Sequence, residues 1–277
     1  MNALTEKIEE IILQHSARGM DRLRKHLKAG YCERAARLIL DNRGTVLIGT
    51  GFPVAGSFES DGPIGAIALY QVLAHLSYQP IFVCAPPLSK IMSKGFDTYE
   101  IPILSQDQSK GVVRKALKKL NPSLVLSVER PGITDNGRYY NMHGDDISAF
   151  TAKFDLFFSY AKCPCIAFGD GGNEIGMGNV RDALADMKVI PSVTTCDELV
   201  ISTVSNWGVY GVIALMSHQL KQDLFELFQP DAIAGYLLAN GSVDGVTNRR
   251  ELSEDGFPIN VGIAIIAQLR KCAFPET

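Results

Sequence analysis

The chain has 277 residues, 46% of them hydrophobic, and a formal net charge of -3 from 27 basic and 30 acidic side chains. That is enough apolar material for a sizeable core, and the near-balanced charge excludes the strongly basic face of a nucleic-acid binder. The charged N-terminus MNALTEKIEE lacks the apolar core of a secretory leader, no apolar run reaches membrane-spanning length, and six scattered cysteines do not make a disulfide framework, so a cytoplasmic, reducing location away from any membrane is expected.

The first forty residues read as helical. Ile8, Ile11, Ile12 and His15 recur at helical spacing, and a second helix runs from about Asp21 to Leu40 with a break near Gly30. Thr45 to Ile48 reads as the first strand and ends in Gly49-Thr-Gly51; Asp61-Gly-Pro63 then opens a helix from Ile64 to Leu76. The alternation continues with strands at Ile81–Cys84, Tyr99–Leu104 and Leu124–Val128 and a helix at Ser109–Leu120. A polar loop, RPGITDNGRYYNMHGDD, leads to a helix predicted over Ile147–Tyr160. Strands follow at Ile166–Phe168, Val189–Val193 and Glu198–Thr203, then a helix at Val209–Leu220 and closing helices near Leu224–Leu238 and Ile259–Lys271. Asn240 to Pro258 is polar and glycine-containing and is expected to be the most mobile segment. Short Val/Ile/Leu-rich strands alternating with helices predict an α/β fold: a mostly parallel central sheet between two helical layers, forming one domain over 1–277 with residues 1–40 packed on it as a helical N-terminal segment.

The unusual polar residues fall just after strand ends, where the ligand crevice of an open parallel sheet lies. Glu59 and Asp61 follow the first strand; Glu129 and Arg130 end the strand before SVERPG; Asp170, Asn173 and Glu174 stand in the glycine loop GDGGNE. Carboxylate oxygens suit a hard cation, and five acids at one mouth repel one another unless a cation or a retained proton relieves them. Glu59, Asp61, Glu129, Asp170 and Glu174 are therefore the candidate ligands of Mg²⁺ or Mn²⁺, with no nucleotide or organic cofactor expected. Glu174, His143, Glu129 and Asp170 are the candidate acid–base groups; Arg130, Asn141, Asn173, Asn206 and Thr247 are the candidate contacts to a small anionic metabolite. Ordinary structural roles compete at several of these positions: Asp61 as the cap of the helix after it, Asn206 as the cap of its own helix, Asn173 as a turn cap, Arg130 as an ion pair to a nearby acid. If Ile175 starts a helix, its free N–H groups also favour an anion there. The dinucleotide fingerprint, the Walker loop, the nucleophile elbow and H-E-x-x-H are all missing from the sequence.

The segments GTGFPVAGSFESDGPIGAIAL, SVERPGITDNGRYYNMHGDDIS, GDGGNEIGMGNV, CDELVISTVSNWGVYG and DGVTNRRELSEDG resemble the D-glutamate cyclase C-terminal domain family, in a stand-alone form, over roughly residues 10 to 270. The resemblance implies conversion of D-glutamate to 5-oxo-D-proline and water. It also implies that some stand-alone prokaryotic relatives bind a divalent metal and act on phosphorylated compounds. A metal-dependent phosphatase and a non-catalytic module for a small anionic metabolite are the alternatives, and a homo-oligomer is compatible with all three.

Overall fold

The computed structural model describes residues 2–16, 18–54 and 56–274. Its centre is a six-stranded sheet in which every neighbouring pair is parallel: β1 (Thr45–Thr50), β4 (Gln79–Cys84), β5 (Thr98–Glu100), β6 (Leu124–Val128), β7 (Cys165–Gly169) and β8 (Glu198–Ile201), in the order β5-β4-β1-β6-β7-β8. Two small antiparallel ribbons decorate it, β2 (Pro53–Val54) with β3 (Ser57–Phe58) and β9 (Ser253–Glu254) with β10 (Phe257–Pro258). Both faces of the central strands are buried, which is why β6 and β7 read as near-continuous apolar runs rather than alternating ones.

The N-terminal helices are α1 (Ala3–Ile12), the single turn α2 (Met20–Leu23) and α3 (Tyr31–Asp41). α4 (Pro63–His75) joins β1 to β4, α5 (Leu88–Met92) joins β4 to β5, and α6 (Gln106–Leu120) carries the chain back across to β6. α7 (Asp155–Tyr160) joins β6 to β7; α8 (Ser205–Leu220), α9 (Pro230–Ala239) and α10 (Ile259–Ala273) complete the chain. α4 and α8 pack side by side against one face of the sheet, and α6 and α7 pack together on the other, giving three layers. α8 is apolar all round because α1, α3, α4 and α10 surround it. The N-terminal segment docks through Ile8 and Ile12, which sit over Gly211 of α8.

Several expected elements take a different form. Val189–Val193 is not a strand: Ser192 and Val193 donate to Gly172 and Ile133 carbonyls in two unrelated loops, so this stretch bridges loops instead of joining the sheet. The helix over Ile147–Tyr160 is a 3-10 turn at Ser148–Phe150 and the short α7, separated by a buried Thr151–Phe154 stretch in which the Lys153 ammonium caps two carbonyls. Pro230 divides the Leu224–Leu238 helix, lacking the N–H a continuous helix would need, and so starts α9. The Tyr99–Leu104 strand stops at Glu100. Asn240–Pro258 is pinned by Asp244, whose buried carboxylate accepts from the Val246, Thr247 and Gly256 amides and from the Ser253 hydroxyl.

Candidate active site

The strand order reverses between β1 and β6: one branch of the chain winds outward to β4 and β5, the other to β7 and β8. The crevice at such a switch point is where doubly wound sheets place their ligands. Here it receives the loop after β1, carrying Glu59 and Asp61, the end of β6 with Glu129, the end of β7 with Asp170, and the N-terminus of α8.

Two helices start at this crevice, and each is capped by a residue of the other. The Asn206 side-chain oxygen accepts from the Gly62 and Gly65 amides at the start of α4 (3.0 and 2.7 Å). Asp61 accepts from the Ser205 and Asn206 amides at the start of α8 (both 3.0 Å). Asp61 also accepts the Gly62 amide beside it (2.8 Å), so it serves the start of its own helix as well as that of α8. The exchange requires the two backbones to approach closely, and a Cβ at Gly65 would lie 2.8 Å from the Asn206 oxygen. A negative carboxylate at a helix N-terminus is also favoured by the helix dipole.

Asp61, Glu129 and Asp170 each present an oxygen within 4.8 Å of the others, and all three are buried. Burial raises the pKa of each. Repulsion from the neighbouring Asp61 carboxylate adds to the rise at Asp170, and the Arg18 guanidinium opposes it. Asp170 also takes the Ser205 amide (3.0 Å) and the Arg18 guanidinium (2.6 Å). Glu129 has φ 45°, a left-handed conformation that costs energy for a side chain of its kind, and it accepts the Ser205 hydroxyl at 2.6 Å. Glu59 lies beside them with its Oε1 buried and unpartnered, and burial followed by repulsion from Asp61 and Asp170 holds it well above the usual carboxylate range.

The glycine loop has a specific use. The Gly171 and Gly172 amides fold back onto the two carboxylate oxygens of Glu174, each at 2.6 Å, so the loop makes a backbone nest for its own acid. Burial and Asp170 still raise Glu174, to about 7. No free helix start follows: the amides of Ile175, Gly176 and Gly178 donate to the Arg130 and Thr194 carbonyls, and only a kinked 3-10 turn lies beyond them.

The remaining expected residues divide. Arg130 is buried without a carboxylate partner; its Nη atoms donate to the carbonyls of Gly51, Ala152 and, at 3.4 Å, Thr50, so it staples the β1 end to the stretch before α7. Asn173 lines the crevice and donates to the Tyr140 carbonyl. Asn141 and His143 stand at the crevice mouth, Asn141 closing its own turn onto the His143 and Asp145 amides and His143 exposed. Thr247 is exposed on the Asp244 turn and bonds Glu251, outside the crevice lining.

Three residues of the site carry no sequence signal of their own. Arg18, between α1 and α2, pairs with Asp170 and with Asp255 of the β9–β10 turn. Glu254 is fully buried, accepts the Asn206 amide (2.7 Å) and the Trp207 indole N–H (2.8 Å), and is raised to about 7 by burial. Glu254 and Asp255 stand in ELSEDG, which reads as an ordinary polar turn; Arg18 is one arginine in a charged helical segment.

The crevice encloses about 360 Å³, and Glu59, Asp61, Glu129, Arg18 and Asp255 contribute to its wall. Its donors are all oxygens, they hold more negative charge than Arg18 offsets, and Glu59 keeps an orphaned oxygen. That set fits a hard divalent cation such as Mg²⁺ or Mn²⁺ and does not resemble a zinc or iron site.

A doubly wound α/β chain with an acidic crevice at its switch point belongs, as a class, to the small-molecule-binding folds. More narrowly, the family described as D-glutamate cyclase-like, C-terminal, matches residues 8–270, and the chain belongs to that family. The human mitochondrial D-glutamate cyclase is 32% identical over 204 residues, which make up 64% of this chain and 33% of that protein; the chain thus spans about a third of that relative's length. The crystal structure of an exopolyphosphatase-related protein from Bacteroides fragilis aligns with 89% of this chain and 58% of its own at 10% identity, with a TM-score of 0.46. No helix among the described residues is long and apolar enough to cross a membrane.

Proposed function

We propose that this chain is an enzyme that cyclises D-glutamate to 5-oxo-D-proline and water. The observation that carries this reading is the set of mutually repelling, proton-retaining carboxyls that line one cavity beside a guanidinium. Cyclisation joins the α-nitrogen to the carbon of the γ-carboxyl group and expels one of that group's oxygens as water. The two protons that leave the ammonium are the two that the departing oxygen takes up. A carboxylate and a carboxylic acid held side by side can pass them across and return to their starting state. Glu129 takes the ammonium proton, and Glu59, kept protonated by burial, gives one to the γ-carboxylate. Arg18, the guanidinium beside the acids, holds the α-carboxylate through the N–H groups left over by its pairs with Asp170 and Asp255. Asp170 and Glu174 sustain the repulsion that keeps Glu59 and Glu129 basic. A divalent cation held by Asp61, Glu129 and Asp170 would supply Lewis-acid polarisation of the γ-carboxylate.

The test is to incubate the purified chain with D-glutamate, with Mn²⁺ or with a chelator, and to measure 5-oxo-D-proline by chiral chromatography. Product should form, and Glu129→Gln should lower kcat by about 10²–10⁴-fold. Absence of product under both conditions would refute the cyclase reading. The compact all-oxygen triad also supports a second reading, metal-dependent hydrolysis of a small phosphate ester. Phosphate release that requires Mn²⁺, without 5-oxoproline, would favour it.

A further inference from the structure

The crevice has two unlike arms. The acids gather over β1, β6 and β7, while the lining toward β4 and β5 is apolar: Phe52, Leu88 and Ile103, with Ile147 and Phe150 from the crossover between β6 and β7. Phe150 and Ile103 are 66% and 37% exposed, an unusual state for large apolar side chains that face a cavity. Free glutamate has only a pair of methylenes to offer such a surface.

That mismatch vanishes if the γ-carboxyl arrives as the amide of an apolar amine. The ligand is then a zwitterion without net charge, its ammonium faces the acids, its α-carboxylate faces Arg18, and the amide substituent extends into the apolar arm. We infer that the substrate class of this site is a γ-glutamyl amide whose amine carries an apolar group, and that the chain releases that amine together with 5-oxoproline. This inference rests on the cyclase reading above and specifies the leaving group. The α-nitrogen attacks the γ-carbonyl carbon, the ring N–C bond forms, and the amide C–N bond breaks. Of the three ammonium protons, one stays on the ring nitrogen and two pass to the departing amine, which leaves as an ammonium ion. No water, oxidant or reductant is consumed.

The experiment compares D-glutamate, γ-D-glutamyl methylamide and γ-D-glutamyl benzylamide as substrates of the full chain, with 5-oxoproline as the readout. The benzylamide should exceed the methylamide in kcat/KM by on the order of ten- to a hundredfold, the gain from burying one aromatic ring. Phe150→Ser and Ile103→Ser, at exposed positions that do not support the core, should each reduce that ratio. Equal kcat/KM for the two amides, a ratio unmoved by both variants, or turnover of D-glutamate alone would overturn the inference, and in the last case the cyclase reading would stand. Cyclisation of none of the three would overturn both.

Discussion

Glu254 links the β9–β10 ribbon to the site through one carboxyl group, and the chain provides its own reporter. Trp207, the one tryptophan in the sequence, donates its indole N–H to Glu254. Burial raises Glu254 from the ordinary 4.5 to about 7. In that interval the native state holds a proton that the unfolded chain has released, so stability falls as pH rises from about 4.5 to about 7, in total by on the order of a few kcal/mol. Tryptophan fluorescence should therefore titrate with a midpoint near 7. In Glu254→Gln the step should vanish and the melting temperature should depend less on pH. A step that persists in the variant would assign the titration to another group. Arg18 marks the limit of what single residues disclose in the sequence. It lies 152 positions from Asp170 and is brought there because α1 docks on α8 and α2 packs against the 3-10 turn at Met177–Leu184. The acids at strand ends were legible because a charged side chain directly after an apolar strand is conspicuous. A lone arginine between two amphipathic helices is not.

At the scale of elements, the alternating pattern of short apolar strands and helices was legible, since periodicity reports burial directly. It misled where the chain is buried without being regular. Ile147 and the segment from Thr151 to Phe154 are buried, yet their hydrogen bonds go to Lys153 and to turns. The Val189–Val193 stretch looks like a strand because its residues bridge loops. The exchanged caps were illegible for a related reason. Sequence suggests that a cap serves its neighbour; Asp61 does so at Gly62, but it and Asn206 also serve helices more than 140 positions away. Asn206→Ala removes the acceptor of two amides and a donor to buried Glu254, so a loss of about 2–3 kcal/mol is expected in urea unfolding. A loss below about 0.5 kcal/mol would mean that water or a neighbour replaces the cap.

For the whole molecule, the acidic crevice makes folding stability, protonation and cation binding interdependent. The cluster keeps protons that a divalent cation would have to displace. Mn²⁺ should therefore raise the melting temperature more above neutral pH than below it. At a concentration a hundredfold above Kd the gain is about 2.7 kcal/mol, a shift of several degrees for a chain of this size. Asp61→Asn, which keeps oxygen for the helix caps but loses the charge, should abolish the shift while leaving a folded chain. A shift that survives in Asp61→Asn would place the cation elsewhere.

The exchanged caps also bear on descent. A lineage that abandoned this chemistry would still need Asp61 and Asn206, because α4 and α8 would still need their ends satisfied. Those two residues would then persist in silent copies for architectural reasons alone. Glu59, with its orphaned oxygen, and Glu129, held in a left-handed conformation, do nothing comparable for the helices. Relaxed selection would erase them first. Among related chains, the pair to inspect for a living site is Glu59 and Glu129.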